Sequence, residues 1–100
     1  EENQRGSATI TDIHSYGFCC SKLQFFRDTL RVDKGMKLMV YFSLPNGEGS
    51  MVDFSLQGII RHVDYNEKGK AIRLGIQLRA IPRDTRVVFE KCLAYLTTLD

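Results

Sequence analysis

The sequence predicts a mainly β fold, a small antiparallel barrel or strongly curled sheet with one helix packed on it. Three observations predict it. Apolar and polar residues alternate with a period of two through "KLMVYFSL" at 37–44, through the stretch beginning at Met51, and through "IRLGIQL" at 72–78. Clusters rich in Gly, Asn and Pro separate these stretches. After Pro82 the apolar period changes to three and four, which marks a helix.

Each element has a local reason. "SATITDI" and "GFCC" fit two short strands flanking "DIHSYG", which leaves Asp12 at a strand end. "TLRV" adds a brief strand before a turn at Asp33 to Gly35. In the next strand Leu38, Val40, Phe42 and Leu44 share one face, with Lys37, Met39, Tyr41 and Ser43 on the other. "PNGEGS" then closes a hairpin. Val52, Phe54 and Leu56 alternate with Asp53, Ser55 and Gln57 up to Gly58, where a bulge or sharp bend is expected. "DYNEKGK" is the following turn, and Ile72, Leu74, Ile76 and Leu78 face the core from a strand antiparallel to the one before. The helix runs from Arg83 to Leu99, with Pro82 near its first turn, Asp84 at its positive end, and an apolar stripe of Val88, Cys92, Tyr95, Leu96 and Leu99. No repeat, low-complexity tract or linker interrupts residues 1–100, so they form a single domain.

Composition removes several function classes. With 43% hydrophobic and 26% charged residues the chain has enough apolar material to fold. A net charge of +2 is too small to indicate a nucleic-acid surface. No apolar run approaches the roughly 20 residues of a membrane-spanning helix, and no basic-then-apolar leader opens the chain, so no membrane insertion is expected. The chain reads as cytoplasmic, or as a soluble piece of something larger. Three cysteines is an odd count, and the adjacent Cys19 and Cys20 cannot bridge without strain, so reduced thiols are expected. Neither CxxC nor HxxxH spacing occurs, and no metal site or cofactor is expected.

Enzymatic chemistry has little to build on. A nucleophile needs a base in reach, and Cys19 or Cys20 with His14 supplies the residue types. Adjacent strand residues point to opposite faces, however, so one of the two thiols is turned inward as packing. Asp53, Asp64 and Glu67 fall on solvated strand faces and turns, and no phosphate-cradling loop or dinucleotide fingerprint is present. No catalytic residue is assigned, and the chain is not expected to be an enzyme.

"DIHSYG" at 12–17 has a stronger claim. A carboxylate at a strand end can accept hydrogen bonds from a base edge or cap nearby amides, and a glycine lets the backbone turn tightly beside a ligand. An ordinary turn explains the same residues, with Asp12 and Ser15 stabilising it and Gly17 supplying a positive φ. Spacing alone favours the ordinary turn.

This stretch resembles the "[D/N]xSxxG" strand end of PilZ domains, bacterial modules associated with the second messenger cyclic di-GMP. "GMKLMVYFSLP", "LQGIIRHV", "LGIQL" and the terminal helix are similar to the family's downstream course, so the likeness covers nearly the whole chain. The resemblance implies a six-stranded antiparallel barrel with a C-terminal α-helix and a ligand groove at the strand end. It also implies cyclic di-GMP as ligand, a partner protein or neighbouring domain that receives the signal, and control of processes such as motility or biofilm formation. Asp12 matches the acidic position and Gly17 the glycine, whereas His14 stands where the family has serine. The family's upstream RxxxR pair, which grips the phosphates and stacks on the guanines, has no counterpart in "EENQRGSATIT", so that arginine segment is missing from this chain. The residues expected to bind are Asp12 and Gly17, with His14 and Ser15 at the groove edge. Arg5 is the candidate phosphate contact, and Gly75 and Gln77 on the outward face of the last strand form the opposite wall. The alternative is a PilZ-like protein-interaction domain that does not bind the dinucleotide.

Overall fold

A computed structural model describes residues 5–25 and 32–99. Five antiparallel strands, β1 (Gly6–His14), β2 (Gly17–Phe25), β3 (Lys37–Pro45), β4 (Met51–Tyr65) and β5 (Ala71–Arg79), form one curled sheet, followed by helix α1 (Arg83–Leu96). The strand order is β1-β2-β5-β4-β3, which makes a half-barrel with β1 and β3 at its edges. The described residues thus hold five strands and not the expected six, and residues 29–31 of the expected "TLRV" strand lie outside them.

The turns form for the reasons their residues suggest. In "PNGEGS" the Asn46 side-chain oxygen accepts from Glu48 N–H at 2.7 Å, while Gly47 and Gly49 take φ of 83° and 86°. Asn66 repeats the device, accepting from Lys68 and Lys70 N–H at 2.9 Å each, with Gly69 at φ 76°.

The sheet's concave face holds the core. Phe18, Cys20, Val40, Leu44, Phe54, Leu56, Ile60, Leu74, Ile76 and Leu78 pack there against Phe89 and Cys92 of α1. An aromatic cluster ties the helix down, with Phe42 stacked on Phe54 at 5.3 Å and Phe89 edge-on to both at 6.1 and 5.4 Å.

Several expectations are corrected. Gly58 is not a bulge, since the β3–β4 register runs unbroken through it; a Cβ there would meet Ile76 Cγ2 at 2.8 Å, so close packing explains the glycine. The bulge falls at Arg61, which has no β5 partner between Ile60↔Ile76 and His62↔Gly75. A second irregularity leaves Ile72 unpaired between Arg73 and Ala71, so Ile72 is exposed and Ala71 takes its place inside. The helix ends at Leu96, short of Leu99, because the Thr97 and Thr98 hydroxyls donate to the carbonyls of Ala94 and Tyr95 at 2.8 and 2.6 Å. Its buried residues are Phe89 and Cys92, while Val88 and Leu99 are exposed.

Candidate functional site

"DIHSYG" forms the β1–β2 hairpin, with His14 paired to Gly17 and Ser15 and Tyr16 as the turn. Two contacts from elsewhere pin that turn. Leu78 N–H donates to Tyr16 O at 2.8 Å, and Arg86 Nη1 donates to Ser15 O at 3.0 Å. The Arg86 guanidinium also lies over the Tyr16 ring, 5.5 Å from its centroid. Gly17 is not in the positive-φ region, so its expected role as a turn former is corrected. A Cβ at Gly17 would stand 2.2 Å from Ile76 O, and the glycine is required because β2 and β5 approach too closely for any side chain.

Register brings most of the expected residues into one patch. In-register partners in an antiparallel sheet share a face. Asp12 pairs with Cys19, Cys19 with Gly75, and Gly75 with His62, which makes one row across four strands. His14, Gly17 and Gln77 make the next row. Phe18, Cys20, Leu74 and Ile76 of the same strands are core residues, so both rows lie on the outer face. Asp12, His14 and Gln77 are exposed there, and Gly75 is half-buried beneath His62 Cβ, which a Cβ on Gly75 would meet at 3.2 Å.

Asp12, His14 and Ser15 also line an open groove of about 680 Å³ between β1 and the C-terminal half of α1, whose other walls include Ile10, Ile13, Leu93 and Leu96. Gly17, Gly75 and Gln77 do not line it. Arg5 precedes the opposite end of β1, roughly 20 Å along the strand from Asp12. It shares neither the groove nor the two rows.

The sequence reading missed the cations of this face. Arg61 Nε donates to Gln77 Oε1 at 2.6 Å, His62 Nε2 contacts Asp64 Oδ1 at 2.6 Å, and Arg73 Nη1 lies 3.7 Å from Asp64 Oδ2. The bulge at Arg61 hid His62, because it shifts the alternation by one residue and turns His62 outward beside Arg61, whereas Arg61 and Arg73 stand at outward positions of the unshifted alternation.

The three cysteines are free thiols, with Cys20 and Cys92 buried and Cys19 part-exposed on the outer face. Burial pushes the Cys20 thiol above the ordinary range, offset in part by a backbone hydrogen bond at Leu74; burial alone raises Cys92. Both are therefore held protonated and are weak nucleophiles. Among the described residues no group of three His, Cys, Asp or Glu side chains is placed to hold a metal. No helix there is long and apolar enough to cross a membrane.

No protein-family model, curated protein or solved structure matches the chain.

Proposed function

We propose that the chain is a cyclic di-GMP signalling module of the PilZ kind, which binds the dinucleotide on the outer face of β1, β2 and β5 and passes the signal to a partner protein or neighbouring domain. The observation that carries this reading is the strand register, which sets Asp12 in one row with Gly75 and His14 in the next with Gln77. Gly75, bordered by His62, adds no side chain to the row and leaves backbone against which a purine edge can lie. The Asp12 carboxylate accepts from the paired N–H donors of a guanine edge, and the His14 imidazole stacks or donates beside it. Arg61 and Arg73 on the neighbouring strands offer guanidinium groups to phosphate, which answers the missing RxxxR pair without calling on Arg5.

Calorimetric titration of the 100-residue chain with cyclic di-GMP tests the reading. Binding is expected, and Asp12→Ala should weaken it roughly ten- to hundredfold, the equivalent of one charged hydrogen bond. Unchanged affinity in that variant removes Asp12 from the site. The alternative, a PilZ-like protein-interaction domain, is favoured by the apolar Ile10, Ile13, Leu93 and Leu96 walls of the β1–α1 groove. Absence of any binding heat with the unsubstituted chain leaves this alternative and a receptor that lacks its arginine segment.

A further inference from the structure

Antiparallel ladders alternate between residue pairs that exchange two hydrogen bonds and pairs that exchange none. The phase of the β3–β4 ladder is fixed at both ends. At one end Ile60 N–H donates to Met36 O at 2.9 Å, and at the hairpin end Asn46 N–H donates to Ser50 O at 3.0 Å. The register between them has no shift. Even-numbered residues of β3 therefore bond to β4, and Lys37, Met39, Tyr41 and Ser43 aim their N–H and C=O groups away from β4. Among the described residues no strand takes these groups up.

We propose that a second copy of the chain docks on this edge, β3 against β3, antiparallel about a two-fold axis through Tyr41. Tyr41 is the central residue of the nine-residue strand, so the pairing is self-complementary along its full length. Tyr41 faces the partner's Tyr41, Met39 faces the partner's Ser43, and Lys37 faces the partner's Pro45. About eight new backbone hydrogen bonds result, because proline, which has no N–H, stands only at the strand's last position.

Charge and side chains agree with that partner. Lys37 is the strand's only charged residue, and Lys34 precedes it in the adjoining turn, whereas Glu48 lies beyond the other end. The two-fold axis sets the lysine end of each copy beside the glutamate end of the other, and no like charges meet. Met39 and Tyr41, 46% and 75% exposed, stand on the outer face along the join, and Met51 of β4, 61% exposed, stands one strand in beside Pro45. The edge has no bulge, no internal proline and no inward charge, the devices that keep edge strands apart.

Sedimentation equilibrium of the 100-residue chain tests the proposal, independently of any nucleotide. A dimer with a dissociation constant of roughly tens of micromolar or tighter is expected. Tyr41→Lys sets two ammonium groups opposite each other and should weaken it at least about tenfold. Tyr41 is exposed, so the substitution leaves the core intact, and circular dichroism checks this. In a Cys19→Ser background, Tyr41→Cys should form an interchain disulfide on mild oxidation, since facing Cα atoms of a bonded pair lie about 5.5 Å apart. Ser55→Cys, beside Tyr41 but one strand in from the edge, should not. A monomer at several times that concentration, an unchanged constant in Tyr41→Lys, or equal cross-linking at both positions overturns the proposal.

Discussion

The two edges of the sheet have strands of equal length and opposite construction. β1 breaks register twice against β2, between Ser7 and Thr9 and between Ile10 and Asp12, while β3 runs straight against β4 from Lys37 to Pro45. Their ties to the helix differ as well. On the β3 side α1 is held by the Phe42, Phe54 and Phe89 rings, and at the β1–β2 turn it is held by one arginine. A bent edge with exposed Asp12 and His14 suits a small polar ligand and resists strand pairing. A straight edge whose outward backbone groups no described strand takes up suits another strand.

Removing the aromatic anchor is the harshest way to break this contrast. Phe89 is fully buried, and Phe89→Ala should lower unfolding free energy by about 3–5 kcal/mol, measured by urea titration. A loss below about 1 kcal/mol would mean that the β3 side is not held by its rings. Next in size is Gly17→Ala, which sets a methyl against the Ile76 carbonyl and should cost about 1–3 kcal/mol as β2 and β5 are forced apart. A neutral result would show that the hairpin beside β1 can shift without penalty.

The β1 tie should prove weaker than the β3 anchor. Arg86→Ala removes the hydrogen bond to Ser15 O and the contact with Tyr16 and should cost about 1–2 kcal/mol, since the side chain is only partly buried. If it cost as much as Phe89→Ala, the two edges would be equally anchored and the contrast would be lost.

Much of the fold was legible in the sequence because its cues are local. Alternation at 37–44 and the asparagine turns at Asn46 and Asn66 depend on near neighbours, and both appear as expected. What was illegible depends on contacts between strands. Gly58 and Gly17 look like bend and turn glycines in sequence, yet each is set by the approach of β5, which no local pattern records. Phe89 was missed from the helix stripe because Val88 fits the same period, and only the position of the Phe42 and Phe54 rings chooses between them. At the candidate site, Asp12, His14, Gly75 and Gln77 were found from the motif and the outward face of β5. His62 was not, because a one-residue bulge reverses its face assignment, and Arg61 and Arg73, though outward in the alternation, are brought to the same face as the motif only by the pairing of β2, β5 and β4.

The smallest expected effect uses two thiols, one on each side of this contrast. Cys20 lies one strand in from the β1 edge, and Cys92 sits on the buried face of α1 in the same core. Burial raises both above the ordinary thiol range. The unfolded chain therefore releases these protons at lower pH than the folded chain, and binds fewer of them as pH passes 9. Stability from the two thiols is full below that value and falls as pH rises toward their folded values. Urea titrations near neutrality and at about pH 10 should show this loss, and a Cys20→Ala, Cys92→Ala variant should lose less between the two conditions than the unsubstituted chain. The single variants sharpen the comparison of edges. If the β1 side opens locally at alkaline pH, Cys20 will react with a thiol reagent well before global unfolding, whereas Cys92 will react only with it. Equal rates for both would mean that the bent edge is as firmly closed as the straight one.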